Sequence, residues 1–127
     1  MHRVQMRWGD IDGLGHLHHV VVLQYLEEGR DAFLAEHGIR RNEYVVGRCS
    51  VGFNREIPAA ESVEVDCHVV AIGAKSVTTS ERIFDGDGNV AVEAQFTIVL
   101  WDPDARATRE VTDAERSSLE QGEEAVA

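Results

Sequence analysis

The sequence predicts an α+β fold in which one long helix lies across a sheet of antiparallel strands. Between residues 20 and 37, apolar residues recur every three or four positions, which is typical of an amphipathic helix. From residue 43 onward, apolar and polar residues alternate instead, as they do in strands with one buried face. The turn Asp85-Gly86-Asp87-Gly88 predicts a hairpin between two of these strands. With 127 residues, the chain fits one domain.

The first half of the chain supplies one strand, one loop and the helix. The strand is predicted in residues 2–8, and residues 9–19 form a loop rich in Gly, Asp and His. The helix is predicted over residues 20–37, and Gly38 ends it as a C-terminal cap residue would. Its apolar face, which should pack on the sheet, comprises Val22, Leu26, Gly29 and Phe33 and is widened by Leu23 and Leu34.

The second half supplies the remaining strands, which are predicted in residues 44–57, 63–71, 77–84 and 90–100. The last of these strands is apolar on both faces, through Ile98 and Leu100 on one side and Val99 and Trp101 on the other. This pattern indicates a second buried surface, most simply an interface between subunits. Residues 106–127 are expected to be an acidic tail beyond a folded domain of residues 1–105, either a short helix or disordered.

Charge and composition exclude several classes of function. The formal net charge of -11 opposes binding to nucleic acid or to an anionic membrane over most of the surface. The longest apolar run, residues 20–23, is far shorter than the roughly 20 residues that cross a bilayer. No long apolar stretch stands at the start of the chain, so we expect no signal peptide and a cytoplasmic location. Cys49 and Cys67 form no CxxC pair and are expected to be buried small apolar residues.

The chemistry is concentrated in residues 7–19, which hold two carboxylates, three glycines and three histidines just before the helix. The start of a helix presents unpaired amide hydrogens that can stabilise the oxyanion of an acyl-transfer intermediate. A carboxylate beside them, such as Asp12, can act as general base on water or attack the acyl carbon directly. The alternative for Asp12 is a purely structural role as the cap of a turn or helix. For Asp10 we expect a structural role, in bonding loop amides.

Residues 7–30, RWGDIDGLGHLHHVVVLQYLEEGR, resemble the sequence pattern of the 4-hydroxybenzoyl-CoA thioesterase family of hotdog proteins. The matching positions are Asp10, Asp12, Gly15, His16, Leu23, Tyr25, Glu27, Glu28 and Arg30. Residues 53–65 resemble the family's next strand and turn, and residues 72–76 resemble the opening of the strand that follows. The resemblance therefore extends over nearly all of the chain up to Trp101.

The resemblance implies a hotdog fold, in which a five-stranded antiparallel sheet wraps around the long helix. It implies subunits that pair into dimers or tetramers, and a substrate that is an acyl thioester of coenzyme A or of acyl carrier protein. Asp12 would be the catalytic carboxylate, assisted by His19. The backbone at the helix start would supply the oxyanion contacts, through Gly15, His16 and His18. No cofactor or metal is expected.

The phosphates of coenzyme A need basic partners on this acidic chain. Lys75 is the first candidate because it stands at a strand opening that resembles the family, and Arg55 is a second. Arg40, Arg41 and Arg82 are further candidates. On the helix, Glu27, Glu28 and Arg30 are expected to form a solvated or interface face with local ion pairs.

The sequence departs from the family pattern at three positions. His18 and His19 replace the usual Asn-Asn pair, and Val22 replaces a common Tyr, so the acyl pocket should differ in shape. Three histidines beside Asp12 also raise the alternative of a zinc site, although their spacing matches no recognised one. Two alternative functions remain open: a non-catalytic acyl-CoA binder or interaction module, and a hydratase or dehydratase of the same fold.

Overall fold

The computed structural model describes the backbone of residues 1–126 and the side chains of residues 1–121. Two helices and six strands follow one another along the chain. In order they are β1 (His2–Gln5), α1 (His19–Glu36), β2 (Tyr44–Phe53), β3 (Ser62–Ile72), β4 (Ser76–Phe84), β5 (Val90–Asp102), β6 (Ala107–Thr108) and α2 (Asp113–Val126). The predicted α+β class is confirmed.

The strands form one antiparallel sheet in the order β1-β3-β4-β5-β2, and the short β6 pairs with the end of β5. The predicted hairpin joins β4 to β5. Helix α1 packs against β1, β3 and β4, and a β-carbon at Gly29 would overlap the Cγ1 atom of Val65. A glycine at this position therefore lets the helix lie directly on the sheet.

Strand β1 is shorter than predicted, because the chain turns after Gln5. Residues Trp8–Asp10 form a 3-10 helix instead of the predicted end of the strand. The turn is stabilised by Asp10, whose carboxylate accepts a hydrogen bond of 3.2 Å from the backbone N–H of Arg7. Strand β2 likewise ends at Phe53, four residues before the end of the predicted run at residue 57.

The buried face of α1 differs from the predicted face at three residues. Leu23 is 43% exposed, so its predicted contribution to the core is wrong. Tyr25 is fully buried, although the apolar pattern did not select it. Arg30 is only 2% exposed and pairs with the buried Glu81 of β4, so the expected solvated position of Arg30 is also wrong. Because Glu81 is a buried acid on the sheet, a cation such as Arg30 is favourable at this position of α1.

Strand β2 is the edge of the sheet and, within the described part of the chain, pairs with β5 alone. Its residue Cys49 is therefore exposed, and the prediction of a buried side chain is wrong there. Cys67, on β3, is partly buried, and desolvation raises the pKa of its thiol. The apolar residues of β2 that remain exposed are Val45, Val46 and Phe53.

The C-terminal residues form the helix α2 and contribute to the core. Leu119 of α2 is 1% exposed and packs in a cluster with Leu34 and Ile98. Thr112 and Glu115 cap the start of the helix through reciprocal bonds between side chain and backbone, of 3.0 and 3.1 Å. The domain boundary at residue 105 stays a prediction, and residue 127 lies outside the described residues. Neither described helix is long and apolar enough to span a membrane.

Candidate active site

The loop between β1 and α1 is held by its own backbone and by the segment before β3. Within the loop, the N–H of Asp12 donates to the carbonyl of His16 at 2.9 Å. The N–H of Leu17 donates to the carbonyl of Ile57 at 2.8 Å, which attaches the loop to that segment. Gly15 adopts a φ of 86°, a left-handed conformation that favours glycine. These bonds fix where the loop places its side chains.

Asp10 fastens the same loop to helix α1. Its carboxylate accepts a hydrogen bond from the hydroxyl of the buried Tyr25, and its carbonyl accepts one of 2.9 Å from the N–H of His18. Burial is the main reason that the pKa of the Tyr25 hydroxyl is raised, which keeps it a donor. Arg7 approaches the same carboxylate at 3.5 Å and bonds Glu28 at 2.9 Å. These contacts agree with the structural role expected for Asp10.

Asp12 uses one carboxylate oxygen to organise the turn that follows it. Its Oδ1 atom accepts hydrogen bonds from the backbone N–H of Leu14 at 2.8 Å and of His16 at 3.3 Å. The bond from Leu14 is the largest cause that lowers the pKa of this carboxyl below its ordinary value. Asp12 is therefore ionised at neutral pH, the form that a general base or a nucleophile requires.

Asp12 lines an open cavity of about 300 Å³ where the start of α1 meets the ends of β2 and β5. Polar side chains from the loop and from the segment after β2 line part of this cavity, and apolar side chains line the rest. The polar residues are Asp12, His16, His19, Arg55 and Glu56, and the apolar ones are Leu17, Val22, Phe53, Ile57 and Val92. A larger hollow of about 550 Å³ adjoins it and shares Arg55 and Glu56. The arrangement provides space for an apolar group beside an ionised carboxylate.

The amide hydrogens at the start of α1 are nearly all occupied. Those of Gly15, His16 and His18 donate to Asp12 or Asp10, within the loop itself. His18 also caps the helix, because its Nδ1 atom accepts from the N–H of Val20 at 3.1 Å. Among the described residues, the N–H of His19 has no hydrogen-bond partner. As the first amide of the helix, it lies at the positive end of the helix dipole.

The predicted catalytic residues Asp12 and His19 thus line one cavity, and His18 lies beside them. The imidazole ring of His19 stacks on that of His18, with ring centroids 4.7 Å apart, and meets the Phe53 ring edge-on at 6.5 Å. No group of three or more His, Cys, Asp or Glu residues in the described part of the chain has an arrangement that could hold a metal ion.

The two residues predicted to bind coenzyme A lie far apart. Arg55 lines the cavity, with its guanidinium 3.9 Å from Asp85. Lys75 lies in the turn between β3 and β4, where its carbonyl accepts from the N–H of Leu100. This turn is at the opposite end of the eleven-residue strand β3, roughly 30 Å from the cavity end of the sheet. Within one chain, Lys75 does not reach the cavity.

Phe53 and Glu56 are two of the lining residues that the sequence reasoning did not select. Phe53 ends β2 and Glu56 lies in the segment after it, and the cavity brings both to the loop before α1. Glu56 lies 3.2 Å from the Nε2 atom of His16. The sequence offered one weak signal, since Glu56 lies within residues 53–65, a segment that resembles the family.

A curved antiparallel sheet around one helix, with a polar loop at the start of that helix, defines a hotdog fold. The profile of the thioesterase-like superfamily matches residues 6–119 of the chain. The chain belongs to this superfamily, and the predicted membership of a hotdog-fold thioesterase family is confirmed. Among curated proteins, none matches the chain in sequence.

Solved structures agree with the fold. A thioesterase from Thermus thermophilus, complexed with coenzyme A and Zn, is 25% identical with a TM-score of 0.81, over 94% of this chain and 90% of that one. A predicted thioesterase from Bacillus stearothermophilus is 22% identical with a TM-score of 0.84, over 94% and 92%. A DHNA-CoA thioesterase from Staphylococcus aureus is 15% identical with a TM-score of 0.80, over 98% and 90%. The chain thus spans most of the length of each of these proteins.

Proposed function

We propose that this protein is an acyl-CoA thioesterase, which hydrolyses the thioester of an acyl-CoA to a free acid and coenzyme A. The observation that carries the proposal is that two residues lining one cavity supply an ionised carboxylate, that of Asp12, and a backbone N–H without a hydrogen-bond partner among the described residues, that of His19. Membership of the thioesterase-like superfamily and the names of its structural relatives support the same reaction.

In the proposed mechanism, the N–H of His19 donates a hydrogen bond to the thioester carbonyl oxygen. Asp12 removes a proton from water, whose oxygen attacks the carbonyl carbon, and the amide of His19 stabilises the resulting oxyanion. The carbon–sulfur bond then breaks, and the thiolate of coenzyme A leaves and takes up a proton. In the other route, Asp12 attacks the carbon itself, the carbon–sulfur bond breaks with release of the coenzyme A thiolate, and water hydrolyses the resulting anhydride to the free acid and the Asp12 carboxylate. The imidazole of His19 contributes a second polar group beside the carbonyl.

The edge strand β2 supports the proposal that two copies of the chain pair there. β2 has an unpaired side and exposes Val46 and Phe53, and exposed apolar edges are typical of surfaces that pair. Its Tyr44 end lies beside Leu100 and thus on the Lys75 side of the sheet, whereas its Phe53 end lines the cavity. Antiparallel pairing of two β2 strands would bring the partner subunit's Lys75 towards this cavity. Pairing would therefore add a second basic group to the one, Arg55, that a single chain places at the cavity.

The pairing is tested by placing a charge on the edge strand. We expect the wild type to sediment as a dimer or tetramer and the Val46→Glu variant as a monomer, because a buried unpaired carboxylate opposes association. Val70→Glu is the matched control, since Val70 of β3 is 42% exposed and Val46 is 47% exposed. Analytical ultracentrifugation distinguishes these states. A monomeric wild type, or dissociation by Val70→Glu alone, would contradict the proposed interface.

The reaction is tested by measuring the release of free coenzyme A from a panel of acyl-CoAs. The panel should contain benzoyl, hydroxybenzoyl, phenylacetyl, short aliphatic and long aliphatic esters, together with one enoyl ester and one acyl carrier protein thioester. We expect saturable turnover of at least one ester, since the apolar lining of the cavity can hold an acyl group. Binding of these esters without turnover would identify a non-catalytic acyl-CoA binder. Hydration of an enoyl ester without release of coenzyme A would identify a hydratase.

A further inference from the structure

His16 lies between two carboxylates on the wall of the candidate active site. Its Nδ1 atom is 3.4 Å from Oδ2 of Asp12, and its Nε2 atom is 3.2 Å from Oε2 of Glu56. All three side chains line the same cavity. Both are contacts between a ring nitrogen and a carboxylate oxygen within ion-pair distance, so the imidazole lies between two carboxylates.

The backbone of His16 is fixed independently of its side chain. Its N–H donates to Oδ1 of Asp12, its carbonyl accepts from the N–H of Asp12, and it forms a β-bridge with Pro58. The His16 ring is therefore attached to an ordered stretch of the loop, and its orientation is determined by rotation about the side-chain bonds. Glu56 is placed to fix that rotation, because it meets the nitrogen opposite to the one facing Asp12.

We propose that Glu56 is a positioning residue for Asp12 and acts through His16. Glu56 holds the ring so that Nδ1 faces Oδ2 of Asp12, the one Asp12 oxygen to which no backbone amide donates. Asp12 is then held at both oxygens when the acyl group enters. The inference rests on the proposed function, since it assigns a role within the same reaction.

Because Glu56 is exposed, an effect of its substitution on catalysis can be distinguished from an effect on folding. Its side chain is 63% exposed, compared with 25% for His16 and 26% for Asp12. Exposed ion pairs contribute little to folding stability, so removal of this charge should leave the fold intact. Within the reaction, however, a misaligned carboxylate loses rate even when the substrate still binds.

The first test replaces Glu56 by Gln. We expect kcat to fall about tenfold while KM stays within about twofold of the wild-type value, as for a lost interaction that acts on the chemical step. Glu61→Gln is the matched control: the residue is exposed and lies in the same segment, and its backbone carbonyl makes the contact to Met6. An effect no larger than that of Glu61→Gln overturns the proposal. An effect confined to KM also overturns it, because it would mean that Glu56 contacts the substrate.

The second test asks whether Glu56 acts through Asp12. In the Asp12→Asn background, Glu56→Gln should cause no further loss of kcat, since residues that act as a unit are not additive. A further tenfold loss in that background overturns the proposal. Glu56→Asp, which keeps the charge, should recover part of the rate that Glu56→Gln loses.

The third test needs no turnover. The ring nitrogen NMR signals of His16 should keep their wild-type positions in Glu61→Gln and shift in Glu56→Gln, because that variant removes the charge that faces Nε2. If the wild type hydrolyses no thioester, the proposed function fails, and this spectrum alone decides the contact. Identical spectra for Glu56→Gln and the wild type overturn the positioning role.

Discussion

The Asp12→Asn variant is expected to lose at least about a hundredfold in kcat, the usual range for a lost general base, while it remains folded. The asparagine Oδ1 atom can still accept the amide hydrogens of Leu14 and His16, so the turn is retained. Its Nδ2 group can neither take a proton from water nor attack a carbonyl carbon. The substitution therefore removes the chemistry of Asp12 and leaves its structural role.

The measurement is kcat and KM on the best ester of the panel, together with thermal unfolding followed by circular dichroism. Asp104→Asn is the matched control, because Asp104 is exposed and lies beyond the end of β5 that is opposite to the cavity. If Asp12→Asn keeps its rate within about threefold of the control, Asp12 has only the structural role of a turn residue. A large fall in Tm would point to the same conclusion.

The sequence placed together the residues that line one side of the cavity. Asp12, His16 and His19 are close together along the chain, and the loop and helix that hold them form mainly through local contacts. Phe53 and Glu56 reach them through the bridge between His16 and Pro58 and through the pairing of β2 with β5. Such contacts depend on the register of distant segments, which apolar periodicity alone does not specify.

The wrong predictions of burial have a related cause. Alternation along a strand indicates which residues share a face, but it does not indicate whether another element covers that face. Cys49 was expected to be buried because cysteine is a small apolar residue, yet it lies opposite Phe96 on the edge strand, where its side chain is exposed. Lys75 shows the same limit for a binding site. Its similarity to the family pattern predicted a contact with coenzyme A at the cavity, but within one chain the length of β3 keeps Lys75 away from the cavity.

The prediction for Arg30 was wrong because the burial of this side chain depends on a single residue of β4. Its Nε and Nη2 atoms donate to the two oxygens of Glu81 at 2.9 and 3.1 Å, and its guanidinium lies 3.8 Å from the centre of the Phe96 ring. Thr79 donates a further hydrogen bond of 2.6 Å to Glu81. From helical periodicity alone, an arginine is predicted to lie on the surface. A buried arginine is favourable only when it pairs with a buried acid opposite it, and periodicity does not reveal that acid.

Glu81→Ala is therefore expected to lower the free energy of unfolding by about 3–5 kcal/mol, because it leaves the buried Arg30 cation unpaired. Urea unfolding at pH 7 measures the loss, which should also lower Tm by roughly 10 °C or more. The exposed pair of Arg3 and Glu64 provides the control, and Glu64→Ala should change stability by less than about 1 kcal/mol.

The double variant Arg30→Met with Glu81→Leu tests whether the loss of stability in Glu81→Ala comes from leaving one buried charge unpaired. Because it removes both charges and keeps apolar volume in the core, it should be more stable than Glu81→Ala alone. Equal losses in the double and single variants would show that packing around the side chains, including Phe96, dominates. A loss for Glu81→Ala no larger than that for Glu64→Ala would mean that water reaches the guanidinium once Glu81 is gone, so that α1 does not depend on the pair to lie on the sheet.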